Sequence, residues 1–124
     1  MSIAAYKLMH LLGIFALLVA LAGMAVHAAT GRPKSENGSY RTLLLFHGLG
    51  ALLALVGGFG LLARLGLMAD GGMAGWIWAK LILWLVLGGL VALPYRRTSA
   101  ARPILLSLPI LGLLGALLAN YKPF

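Results

Sequence analysis

Few side chains in this chain of 124 residues could do chemistry, and their scarcity narrows what that chemistry could be. Cysteine is absent, and the only carboxylates are Glu36 and Asp70. Disulfides, Cys-ligated zinc and iron–sulfur clusters are thereby excluded. Catalysis by paired carboxylates inside an apolar core is disfavoured, because both acids fall in polar connections. What remains in or beside the long apolar runs is His10, His27, His47 and Lys80. A neutral imidazole can ligate a metal or a haem iron, and an ammonium can neutralise a propionate. A lysine must lose its proton before it can ligate.

Lys80 is the residue most out of place. It stands in Gly75 to Pro94, GWIWAKLILWLVLGGLVALP, with Trp76 and Trp84 four residues away on either side. That spacing predicts one helix face with the ammonium between two indole rings. A lysine within hydrocarbon costs roughly 2.5–3.5 kcal/mol on insertion scales, so something must offset it. Two readings are open. The charge is only ~7 Å from the helix start, within reach of a snorkelling stem. Alternatively, it is a ligand or counter-ion inside a helix bundle.

The elements that must position these residues are membrane spans. The chain is 62% hydrophobic and 10% charged, with a mean hydropathy of +1.01. No soluble domain of this size covers so much apolar surface with so little polar material. The expected fold is an all-α integral membrane four-helix bundle, a single transmembrane domain over residues 1–124. Its helices are expected at about 8–29, 43–63, 75–94 and 103–120, with Pro103 at a first helical position and Pro109 kinking the last helix. Val26-His27-Ala28 loosely fits a signal-peptide cleavage site. Removing the first run would leave three spans and turn both basic loops outward, against the positive-inside rule, so it is kept as helix one.

The net charge of +8 sits in the short connections, where it reads as a topology signal beside anionic lipid and not as a nucleic-acid surface. Arg32, Lys34 and Arg41 lie between helices one and two, and Arg96, Arg97 and Arg102 between three and four. Lys7, Arg64 and Lys122 lie on the other side, and six against three places both termini outside the cytoplasm. Along helix one, His10, Gly13, Ala16, Ala20, Gly23 and His27 form a seam of small residues with a histidine at each end. Helix two repeats the pattern with His47, Gly50, Ala54, Gly57 and Gly58, a weak sign of duplication.

Alternating helix direction decides which polar residues can meet. His10 and Lys80 both lie near outer helix starts, at matching depth, whereas His10 and His27 are ~25 Å apart along one axis. His10 and His47 are mismatched in depth, which disfavours a bis-histidine haem between them. His27 reads as an interfacial residue beside the basic loop, and His47 suits a hydrogen bond to a neighbouring helix carbonyl.

Tyr-Lys-Leu-Met-His-Leu-Leu at Tyr6–Leu12 resembles the K-x-x-H opening of small four-helix bacterial membrane proteins of the SirB-like, CopD-like and HemJ-like group. Trp78-Ala79-Lys80-Leu81, followed by Leu87-Gly88-Gly89, is similar to their third-helix pattern. The resemblance implies a multi-pass protein of the bacterial inner membrane with periplasmic termini. In the HemJ-like branch it implies b-type haem and protoporphyrinogen oxidation. His10 would then be the haem or metal ligand and Lys80 a second ligand or a propionate partner, with His47 a further cofactor-binding candidate. The chain lacks a helix-one arginine, the paired aromatic-rich segment of that branch and the extra histidines of a copper-uptake type. The rival expectation is a non-catalytic subunit whose glycine seams pack against a larger respiratory or photosynthetic complex, or against further copies of itself. A small transporter is disfavoured by the lack of an intramembrane acid or a pair of broken helices.

Overall fold

Helix α1, Ile3–Ala28, starts where the Ser2 hydroxyl accepts the Ala5 N–H at 3.1 Å. That cap satisfies one of the free N–H groups of the first turn, and it begins the helix five residues before the apolar run suggests. The computed structural model describes residues 1–124. Helix α2 spans Tyr40–Arg64, α3 Gly75–Gly89 and α4 Ala101–Tyr121, and there are no strands. A 3₁₀ turn, Leu90–Ala92, extends α3, so that its 15 α-helical residues and three tighter ones reach about 28 Å. All four are long and apolar enough to cross a membrane. Pro103 falls at the third position of α4, still within the first turn, where its missing N–H costs nothing. The helix runs on through Pro109 to Tyr121.

The tightest pair is α1 on α2, and glycine makes it possible. A Cβ at Gly13 would come 2.6 Å from the Gly50 carbonyl, and one at Gly50 would come 2.8 Å from the Gly13 carbonyl. Backbones this close gain dispersion contact that hydrophobicity cannot supply in lipid. α4 lies against α1 and α3, and α3 lies against α2 as well, so α1 and α3 stand diagonally across the bundle. Leu17, Leu21 and Ala25 of α1 meet Leu87 of α3 and Ile104 and Leu108 of α4 in the main core. A smaller core of Trp76, Ile77 and Leu118 closes the other end. Phe15, Leu52, Leu85 and Leu106 point outward, as lipid-facing residues should.

Two clusters tie the ends. Asn37 Nδ2 donates to the Tyr95 hydroxyl at 2.9 Å, joining the α1–α2 and α3–α4 connections at one end of the bundle. The six basic residues of those connections therefore share one end with a single acid, Glu36, which pairs with Arg32 at 3.9 Å. At the opposite end, the Gly75 N–H donates to the Phe124 carbonyl at 2.9 Å, and Lys122 Nζ lies 5.7 Å from the centre of the Trp76 ring.

Candidate functional site

His10 of α1 is held by α2. Its Nδ1 lies 2.6 Å from the Ala54 carbonyl oxygen. A carbonyl can only accept, so Nδ1 carries the hydrogen, and in the neutral ring Nε2 keeps its lone pair. The glycines of α2 make room for this. A Cβ at Gly57 would stand 2.6 Å from the His10 backbone nitrogen, and one at Gly58 would stand 3.2 Å from Nδ1 and 3.4 Å from Cε1. The Gly57–Gly58 pair is thus a notch in which the imidazole is seated and aimed.

Lys80 is brought level with that ring by the register of α3 on α2. His47 Nε2 lies 3.2 Å from the Leu87 carbonyl, and Trp84 Nε1 donates to the Ala51 carbonyl at 2.9 Å. Seven residues back from Leu87 is Lys80, and seven residues on from His47 is Ala54. These antiparallel steps place Lys80 at the height of the carbonyl that holds His10. Lys80 is half-buried. It has no carboxylate partner, for the one salt bridge in the chain is Arg32–Glu36.

The tryptophans do not flank the ammonium as their spacing predicts. Trp84 turns its N–H to α2, and the cation over Trp76 is Lys122. The shared face of Trp76, Lys80 and Trp84 is real, but Trp76 is drawn into the closing core with Ile77 and Leu118. There the C-terminal segment, not α3 itself, supplies its cation.

His47 lies seven residues, or about 10 Å, from Ala54 along α2, and so in a different layer from His10. It is only 7% exposed, and its Nε2–H satisfies one of the last carbonyls of α3, which have no partner within the helix. Sequence reasoning passed over His27. The Tyr95 hydroxyl accepts from Asn37 and shares a second hydrogen bond with His27 Nδ1, 2.8 Å away. Tyr40 meets the Tyr95 ring edge-on at 5.9 Å. The signal was present: a histidine at the last turn of one apolar helix, and a tyrosine just past the end of another, at the same end of the bundle.

No three His, Cys, Asp or Glu side chains converge on a point, as a metal ion held by protein alone would need. A haem needs only axial ligands, because the porphyrin supplies four nitrogens of its own. The donor set fits that requirement. An imidazole that gives one N–H to a backbone carbonyl and keeps the other nitrogen bare is arranged as iron-bound histidines are. A lysine without a counter-ion beside it suits a carboxylate. Comparison with known protein families, with curated proteins and with solved structures finds no match.

Proposed function

We propose that this is a small multi-pass protein of the bacterial inner membrane that holds b-type haem or a related porphyrin through His10 and Lys80. The observation behind this reading is the Nδ1–H bond to Ala54, which leaves Nε2 bare at the height of a cation that no acid of the chain neutralises. In it, His10 would hold the group through Nε2 and Lys80 would neutralise one of its carboxylates, while His47 fixes the register that brings Lys80 level. Bound haem would supply one-electron redox chemistry. The six basic residues at the opposite end support a cytoplasmic face there, which puts the His10–Lys80 layer in the outer half and both termini in the periplasm. The resemblance at Tyr6–Leu12 and Trp78–Leu81 points the same way.

The test is haem content per protein after expression with haem supplied. Wild type should show a Soret band, His10→Ala should lose it, and Lys80→Arg should keep most of it if the role is charge pairing. Loss in Lys80→Arg as well as in Lys80→Met would make Lys80 an axial ligand. A colourless wild type, unchanged by haem reconstitution, ends this reading.

One observation favours a second reading, that of an accessory subunit. Gly88 and Gly89 of α3 have no neighbour within 4 Å of where a Cβ would stand, which leaves a notch that a helix of another protein could enter. A colourless protein that migrates in a larger complex, and loses it on Gly89→Leu, would support that reading instead.

A further inference from the structure

Two depressions meet at the start of α2. One, of about 350 Å³, is lined by Lys34, Ser35, Asn37, Gly38, Tyr40 and Arg41. The other, of about 440 Å³, runs down the outer face of α2 and is lined by Arg41, Leu44, Leu45, Gly48 and Leu49. Arg41 belongs to both. The first is polar and cationic, and the second, apart from Arg41 at its mouth, is apolar.

Gly48 is the telling residue. The glycines at 13, 50 and 57 are explained by close contact between α1 and α2, but a Cβ at Gly48 would meet nothing within 4 Å. It faces outward, between Leu44, Leu45 and Leu49, which are 44%, 59% and 51% exposed. Its missing side chain opens a furrow in the lipid-facing surface that no part of the bundle fills. A second helix is a poor occupant, because the residues four positions either side of Gly48 are Leu44 and Leu52, and close approach needs small residues at that spacing.

The polar depression is prepared for an anion. Lys34 Nζ is held 5.5 Å from the centre of the Tyr40 ring. The Asn37 amide is already committed, donating to Tyr95 and accepting from the Ser39 N–H, so the floor is fixed. Glu36, the only acid at this end, is paired with Arg32, so neither Lys34 nor Arg41 has an internal counter-ion.

We infer that these two depressions form a site for one anionic phospholipid. Its phosphate lies between Lys34 and Arg41, and one acyl chain lies in the furrow at Gly48. A guanidinium at the junction is suited to this, since it can grip phosphate oxygens with two N–H groups while its stem lies along apolar surface. From Arg41 to Leu49 the furrow is about 12 Å long, enough for the upper part of an acyl chain. Basic pockets at the ends of transmembrane helices attract acidic headgroups on the same physical grounds.

Native mass spectrometry of the full chain in detergent tests this, with phosphatidylglycerol, phosphatidylcholine of the same acyl chains, and inorganic phosphate as probes. One phosphatidylglycerol should be retained per chain, and phosphatidylcholine should be retained far less. Arg41→Ala and Lys34→Ala should each weaken retention about fivefold, following the roughly 1 kcal/mol that each cation near anionic lipid contributes. Gly48→Leu fills the furrow without changing any charge and should also weaken retention, while Arg64→Ala at the other end should not. Inorganic phosphate should not displace the lipid. Full retention in Gly48→Leu, or displacement by inorganic phosphate, would overturn the site in favour of a plain anion patch. A wild-type dimer that Gly48→Leu turns into a monomer would overturn it in favour of a second copy. Thermal stability measured alongside shows whether each variant is folded.

Discussion

The two ends of the bundle set the same residue type in different surroundings. At the basic end, both polar atoms of the Asn37 side chain, the Tyr95 hydroxyl and His27 Nδ1 are each spoken for by another group of the chain. At the other end, His10 spends one nitrogen on Ala54 and keeps the second free, level with a lysine that has no acid to meet it. The closed network ties two connections together at a partly exposed end, where water can meet the nitrogen that His27 leaves over. The open one lies within an apolar layer, where a charge without a partner is costly to keep. A histidine in a long apolar helix is therefore informative less for its presence than for what stands level with the nitrogen it leaves over.

The largest effect should come from the seam that supports the open end. Gly57→Leu puts a side chain where the His10 backbone nitrogen already stands, so α1 and α2 must separate. The expected result is a loss of 3 kcal/mol or more, on the order of the upper range for overpacking, seen as a marked fall in thermal stability in detergent. Gly48→Leu, the same change nine residues earlier on the same helix, should leave stability within about 0.5 kcal/mol, because nothing faces it. Equal stability of the two variants would mean that the α1–α2 contact does not hold the open end together.

A smaller and more selective effect is expected at Gly58. A methyl group there would sit 3.2 Å from His10 Nδ1, close enough to push the ring off Ala54 but too far from backbone to part the helices. Gly58→Ala should therefore lower haem content, on the proposed reading, while changing thermal stability by no more than about 1 kcal/mol. Unaltered haem content would show that the orientation of the imidazole is not set by this notch.

These contrasts also mark how far the sequence could be read. Four spans were legible because length and hydropathy alone decide what crosses a bilayer, and counting antiparallel spans was enough to put His10 and Lys80 in the same half. The start of α1 was missed because it depends on one hydroxyl, Ser2, lying outside the apolar run. The fate of Trp76 and Trp84 was missed because helical spacing says which residues share a face, not which neighbour that face meets. Trp84 turns to α2, and Trp76 is packed beneath a terminal segment that spacing could not place. His27 was undervalued for a related reason. Its partner, Tyr95, lies 68 positions along the chain and is itself held by Asn37 of the other connection, and only the fold brings the three together.

The smallest effect on haem content is expected in that closed network, and it tests the comparison from the other side. Tyr95→Phe removes the hydroxyl that links Asn37 to His27 but keeps the ring against Tyr40 and His27. All three residues are only partly buried, so water can replace the lost bonds, and the cost should be about 0.5–1.5 kcal/mol. Asn37→Ala should cost a similar amount, and the double variant should cost less than the sum, because both changes break the same Asn37–Tyr95 bond. Haem content should be indifferent to all of these, since the network lies at the far end from His10. Strict additivity would show that the two side chains are neighbours without being partners. A loss of haem in Tyr95→Phe at unchanged stability would be more serious, because it would mean that the two ends are coupled through the helices between them and that the division into a closed end and an open end is wrong.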